Sequence, residues 1–239
     1  MDDFKNILFI DIETIACTNE YALLSERMKV QWARKASFFR QRSEVRTDED
    51  LFHERAGIYA EFGKIIVIGM GKFSENETGE RMLKTKYFAD HEEGKILEEF
   101  KAAVEKMDQG QLRLCAHNGK EFDFPYLSRR MLVQGLSLPP CLNYSGKKSW
   151  DIPHLDTMEM WKFGDYKHYT SLDLLATLFD IPTSKGDLDG SKVNEVYYRE
   201  KDLRKIAEYC VGDVVAVAQL FLRLKGQDLV KEQNIILSV

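Results

Sequence analysis

The stretch "NILFIDIET", residues 6–14, decides how this chain is read. Its apolar run has the look of a β-strand covered on both faces, yet it carries two acids, Asp11 and Glu13. Side chains two apart on a strand share a face, so both carboxylates point the same way. Burying such a pair without a partner is costly, by repulsion and by lost hydration. A divalent cation is the simplest offset. The plainer reading is a pair at the exposed C-terminal end of the strand, hydrogen-bonded and inert.

Working outward, "GKIIVIGMGKF" (63–73) repeats the buried-strand pattern, and "RMLKTKYFA" (81–89) reads as a third, more polar strand nearer an edge. Ile96, Leu97, Phe100, Val104 and Met107 then recur at helical spacing. "RLCAHN" (113–118) is a short fourth strand, followed by a helix starting near Pro125, and "HLDTM" (154–158) is a fifth. Thr170 and Asp173 are spaced like a capping box for a helix running to about Phe179. A last long helix is expected over roughly 200–225, with Leu203, Ile206, Cys210, Val214, Val217, Phe221 and Leu224 on its buried stripe. Together these predict an α/β chain: a mixed five-stranded sheet flanked by helices, forming one domain over 1–239. The charged stretch 19–60, with helical patches such as "EYALLSERMKVQWARKA", is a helical insert between the first two strands. It is far longer than a hairpin needs, so it is either functional or a peripheral decoration. It could clamp a strand, mediate dimerisation or cover a sheet edge.

Composition narrows the function. With 44% hydrophobic and 31% charged residues, the balance is that of an ordinary soluble globular protein. No apolar run approaches the roughly 20 residues of a membrane-spanning helix, and the first five residues lack a signal peptide's basic start. Cys17, Cys115, Cys141 and Cys210 are scattered, without a CxxC pair, which points away from disulfides and zinc knuckles and towards a reducing, cytoplasmic setting. A net charge of −5 argues against nonspecific coating of nucleic acid, though not against a small site for one strand end.

Two further motifs join Asp11 and Glu13. In "HNGKEFDFPYL" (117–127), Asp123 lies between two phenylalanines where a helix begins; alone, it reads as a favourable helix-start acid. In "EYCVGDVVAVA" (208–218), Tyr209 and Asp213 are four apart on a helix and share a face, and their apolar neighbours point Asp213 into a crevice. Gly212, within that helix, suggests close approach of another element. A Tyr–Asp pair satisfying itself at the helix border is the plainer alternative.

In their order and context these motifs resemble those of the 3′–5′ exonucleases of the DEDD superfamily, within the ribonuclease H-like fold. "FIDIET" resembles the first exonuclease motif, "NGKEFD" the second and "YCVGD" the third. The tyrosine four before the last acid is similar to the tyrosine subgroup; the position five before is Glu208. "HNGKEFDFPYLSRR", "SLDLLATLFDIPTSKGDLDGSKV" and "IAEYCVGDV" resemble bacterial proteins related to the exonuclease domain of family B DNA polymerases. The likeness is weakest over the insert.

The resemblance implies metal-dependent hydrolysis of phosphodiester bonds at a DNA 3′ end, releasing nucleoside 5′-monophosphates. Asp11, Glu13, Asp123 and Asp213 would hold two divalent cations, Mg²⁺ or Mn²⁺, with Asp11 bridging them. Tyr209 would orient the attacking water, and Glu13 would touch the terminal 3′ hydroxyl. Asn118 would contact the substrate backbone, or else shape a turn. Phe122 and Tyr126 are candidates for stacking a terminal base, with core packing the plainer role for Phe122. Arg129, Arg130, Lys147, Lys148, Lys185 and Lys192 are candidate phosphate contacts, with Lys185 and Lys192 preferred because they lie in a stretch that carries the resemblance. His117 reads as a strand-end hydrogen-bonder, and Asp156, near His154, as structural or supporting. The substrate expected is the 3′ end of single-stranded DNA, with an exoribonuclease and a catalytically inactive binding module as alternatives; no membrane partner is expected.

Overall fold

The computed structural model describes residues 4–40, 46–108, 110–165, 169–183 and 188–238. Six strands form one mixed sheet: β1 (Ile7–Ala16), β2 (Gly63–Glu75), β3 (Arg81–Ala89), β4 (Arg113–Ala116), β5 (Leu155–Asp156) and β6 (Ile235–Leu237). Their order is β5-β4-β1-β2-β3-β6. The β1–β2–β3 meander is antiparallel, whereas β4 runs parallel to β1, β5 to β4 and β6 to β3. This is the ribonuclease H-like arrangement that the resemblance implied. The expected count of five strands is corrected to six. Three residues, two of them exposed, are too short a run for a periodic signal to mark β6.

The helices are α1 (Glu26–Ser37), α2 (Asp48–Arg55), α3 (Glu93–Met107), α4 (Asp123–Val133), α5 (Thr157–Lys162), α6 (Leu172–Leu178), α7 (Val193–Glu195) and α8 (Leu203–Leu224). A π-helical turn, Val196–Glu200, continues α7. The N-cap of α6 is Ser171, whose hydroxyl accepts from Leu174 N, rather than the expected Thr170. No helix among the described residues is long and apolar enough to cross a membrane.

The strand alternation of β1 divides the core. Leu8, Ile10 and Ile12 face one way, packing with Ile96, Leu97 and Phe100 of α3 and Phe124, Leu127 and Met131 of α4. Ile7 and Phe9 face the other way, under Val214, Val217 and Phe221 of α8, and Ile15 continues that face against Ile206 and Cys210. Asp11 and Glu13 belong to this second set, so the period-two pattern alone aims both carboxylates at α8. Between Glu13 and Thr14 the β1–β2 register slips, with Ile66 the extra residue on β2, a device often found beside functional sites.

Close approach of α8 to the sheet depends on glycine in β2. A Cβ at Gly69 would lie 2.9 Å from both Cys210 Sγ and Val214 Cγ2, and one at Gly71 would lie 2.8 Å from Val214 Cγ1. On the opposite face, Glu93 is buried at the start of α3. It accepts from Ile65 N (2.8 Å), from Arg130 Nε (2.8 Å) and Nη2 (2.5 Å), and from Gln134 Nε2 (2.7 Å). Arg130 Nη1 also donates to Ala60 O at 2.8 Å. That bidentate network fastens α3 and α4 to the start of β2.

The insert builds a satellite core of its own, in which Leu24, Trp32, Ala36, Leu51, Phe52 and Ala56 pack with Ala16 and Phe62. Thr47 and Asp50 form a capping box at α2, and Trp32 Nε1 donates to Asp48 O at 2.7 Å. Asn194 of α7 joins insert and sheet, because its Oδ1 accepts from Ala16 N (3.0 Å) and its Nδ2 reaches His53 O (3.5 Å).

Candidate active site

Four carboxylates from three elements come close enough for their charges to interact beside the C-terminal half of β1. Asp11 and Glu13 come from the strand, Asp123 from the first residue of α4, and Asp213 from the middle of α8. Asp123 is buried, and its Oδ1 accepts from Ile12 N at 3.2 Å, between the two strand acids. The loop leading to it is set by Asp156, which caps α5 and accepts from Asn118 N (3.0 Å) and Lys120 N (3.1 Å).

The electrostatics follow from crowding like charges out of water. Burial pushes the Asp11 carboxyl well above the usual range, and Glu13, Asp213 and Asp123 push it further. Glu13 is driven the same way by burial and then by Asp213 and Asp123. Asp123 is raised to about 7, chiefly by burial, and Asp213 to about 6 for the same reason. No Lys or Arg among the described residues forms an ion pair with any of the four.

One oxygen, Asp11 Oδ2, is buried with no hydrogen-bond partner. An orphaned anionic oxygen beside three more carboxylates is the donor set a hard divalent cation takes. The residues therefore fit such a group. Cys210 Sγ lies within 4.8 Å of oxygens of Asp11 and Glu13. It is a poor ligand, because it donates to Asp11 O at 3.4 Å and burial beside these acids raises its pKa well above the usual thiol range.

Tyr209 lies one helical turn before Asp213, with its hydroxyl in hydrogen-bonding reach of that carboxylate. Burial and the charges of Asp213, Glu13 and Asp11 raise its pKa, so the phenol keeps its proton at neutral pH.

A cleft of about 530 Å³ opens over this centre. Asp11, Glu13, Tyr209 and Asp213 line its floor, with Phe122 and Tyr169 beside them. Tyr169 is 63% exposed and stands edge-on to His117, 6.4 Å away. His117 bonds both Thr170 O (2.8 Å) and Thr157 Oγ1 (2.9 Å), fixing that rim, as its strand-end position suggested. Sequence reasoning missed Tyr169, Ser191 and Asn194, and also the insert's contribution to the cleft through His53, Glu54, Arg55, Gly57 and Ile58. Only the insert's unusual length signalled that last group.

Other expected contacts lie elsewhere. Tyr126 is 2% exposed and donates to Gly57 O at 2.8 Å, so its ring is core and offers no face for stacking. Arg130 is consumed by Glu93 and is no phosphate contact. Asn118 adopts the left-handed conformation (φ 64°), and its carbonyl accepts from Glu121 N and Phe122 N, which makes it a turn residue outside the cleft lining. Lys192 closes the short helical turn whose Gly190 and Ser191 reach the cleft, while its own ammonium lies 3.9 Å from Asp189. Lys185 falls outside the described residues.

A family model described as a predicted 3′–5′ exonuclease related to the exonuclease domain of PolB matches residues 58–233. That range contains Asp123, Tyr209 and Asp213 and begins after β1, so the placement of Asp11 and Glu13 rests on the coordinates. Among solved structures, the family B DNA polymerase from the hyperthermophilic archaeon Pyrobaculum calidifontis is similar, with 16% identity and a TM-score of 0.54 over 92% of this chain. The chain spans 24% of that polymerase, and at this identity the likeness is one of fold alone. No curated protein matches.

Proposed function

Because the chain belongs to the family of predicted 3′–5′ exonucleases related to the exonuclease domain of PolB, we propose that it hydrolyses phosphodiester bonds at DNA 3′ ends, releasing nucleoside 5′-monophosphates. The supporting observation is that Asp11 and Glu13 bring oxygens within 4.8 Å of each other, with the charges of Asp123 and Asp213 acting on both, while Asp11 Oδ2 is buried without a partner. In this reading the chain is a single domain of the tyrosine subgroup, similar to bacterial members, and works in the cytoplasm.

The four carboxylates would hold two Mg²⁺ or Mn²⁺ ions, which supply charge stabilisation for the entering and leaving oxygens and a nucleophile at neutral pH. The protein's own groups do the rest. Asp11 and Glu13 present their oxygens from a rigid strand, and Asp123 is held by Ile12 N, so little reorganisation is needed. Tyr209, protonated and one turn from Asp213, orients a water through its hydroxyl and does not act as a base. Phe122 and Tyr169 offer apolar faces to the terminal base.

The test is digestion of 5′-labelled single-stranded DNA and RNA oligonucleotides of one sequence, with Mn²⁺, Mg²⁺ or chelator. The account expects a ladder shortening from the 3′ end of DNA only when a divalent cation is present. Endonucleolytic cuts, cation-independent loss or intact oligonucleotides would reject it; preferential RNA digestion would reassign the substrate.

A further inference from the structure

We propose that the insert supplies a substrate-binding residue: Arg55, at the end of α2, contacts a phosphate of the bound strand upstream of the scissile bond. The inference rests on the exonuclease reading above but concerns a segment before residue 58, outside the family match.

Arg55 is the one Lys or Arg lining the cleft among the described residues. Its Nε is enclosed and makes no hydrogen bond, and its ion-pair contact is the neighbouring Glu54, at 3.4 Å. The guanidinium carbon sits 5.3 Å above the Phe39 ring, a platform that restricts the side chain without using its donors. Most of that donor fork therefore remains available, and a planar fork suits phosphate oxygens.

Arg55 shares the cleft with Asp11, Glu13 and Asp213 but forms no ion pair with any of them among the described residues. A cation in the same cleft, unpaired with the acids proposed to handle the reacting phosphate, is placed for another phosphate of the strand. Ile58, 48% exposed and lining the same wall, gives that strand an apolar surface beside the charge.

The α2 segment is held against alternative positions. Leu51 and Phe52 are fully buried in the satellite core, and Asn194 reaches His53 O. Arg55 thus projects from a fixed wall.

The test compares wild type, Arg55→Ala and Arg55→Lys in steady-state digestion of a single-stranded DNA 12-mer at several salt concentrations. It also measures fluorescence-anisotropy binding of the same labelled oligonucleotide to Asp11→Asn and Asp11→Asn/Arg55→Ala proteins with Mn²⁺. Loss of one phosphate contact should raise KM about tenfold with little change in kcat, and lower the log–log salt slope of binding by about 0.7. Arg55→Lys should recover part of the affinity. Unchanged KM and salt slope, or weaker binding with an unchanged slope and a lower Tm, would overturn the assignment while leaving the exonuclease reading intact. A wild-type protein that neither binds nor digests the oligonucleotide would instead reject the exonuclease reading, and the Arg55 role with it.

Discussion

The amide of Ile12 donates to Asp123 Oδ1 across 3.2 Å, so the first residue of α4 is bonded to the strand position between Asp11 and Glu13. Asp123 is thereby locked at fixed spacing from Asp11 and Glu13, although 111 residues of chain separate it from Ile12. Asp213 completes the set from α8, which reaches the sheet only because Gly69 and Gly71 leave room. Precision here is a backbone property, shared between a strand, a helix start and two glycines.

The two α8 residues should fail differently. On the proposed reading, Asp213→Ala removes a cation-ligating oxygen and should lower kcat on DNA by about 10³-fold or more, equivalent to several kcal/mol of lost charge stabilisation. Tyr209→Phe loses only an orienting hydroxyl and should cost about 10²-fold at most. Steady-state assays with Mn²⁺ compare them; equal losses would refute positioning as the tyrosine's role.

Without cations, the carboxylate cluster destabilises the folded protein. Asp213 has a folded pKa of about 6, against an ordinary value near 4 when unfolded, so the native state binds the extra proton in between. Its penalty is absent below the unfolded pKa, grows as pH rises through that window, and is complete above about pH 6. Asp213→Asn in chelator should therefore melt a few degrees above wild type at pH 8, with the advantage shrinking at pH 5. Thermal melts decide it; a variant no more stable at pH 8 would show that Asp213 is not held in a repulsive, desolvated cluster.

Arg130 is a structural cation. Arg130→Ala leaves Glu93 buried without its bidentate partner and should destabilise the fold by roughly 3–5 kcal/mol in urea unfolding. A loss below about 1 kcal/mol, the range of exposed ion pairs, would contradict the buried network.

Gly69→Ala places a methyl 2.9 Å from Cys210 Sγ and Val214 Cγ2. The helix must shift, at a cost of about 1–3 kcal/mol, carrying Tyr209 and Asp213 with it. Both stability and kcat should fall; unchanged kcat would mean that α8 has slack at the site.

Much of this was legible in the chain. The period-two pattern of "NILFIDIET" placed Asp11 and Glu13 on one face, and the four-residue spacing of Tyr209 and Asp213 placed them on another, because both periodicities are fixed by backbone geometry. The strands β2, β3 and β4 and the helices α3 and α8 followed from the same signals. Tertiary partners did not. Nothing local distinguishes Arg130, spent on Glu93, from a solvated arginine, or Tyr126, buried against Gly57, from a stacking platform. Asn118 read equally as a substrate contact or a turn residue, and only its left-handed φ of 64° marks the turn. Arg55 was hidden for a similar reason, since a charged insert reads alike whether it lines a cleft or faces solvent. Strand β6 is defined by its pairing with β3 rather than by its own three residues.

The most direct test of the central claim is calorimetric titration of the metal-free protein with Mn²⁺, for wild type and Asp11→Asn. The account predicts two ions per wild-type chain, with binding abolished or reduced to one weak ion in the variant. Identical isotherms for the two proteins, or no binding by wild type, would contradict it.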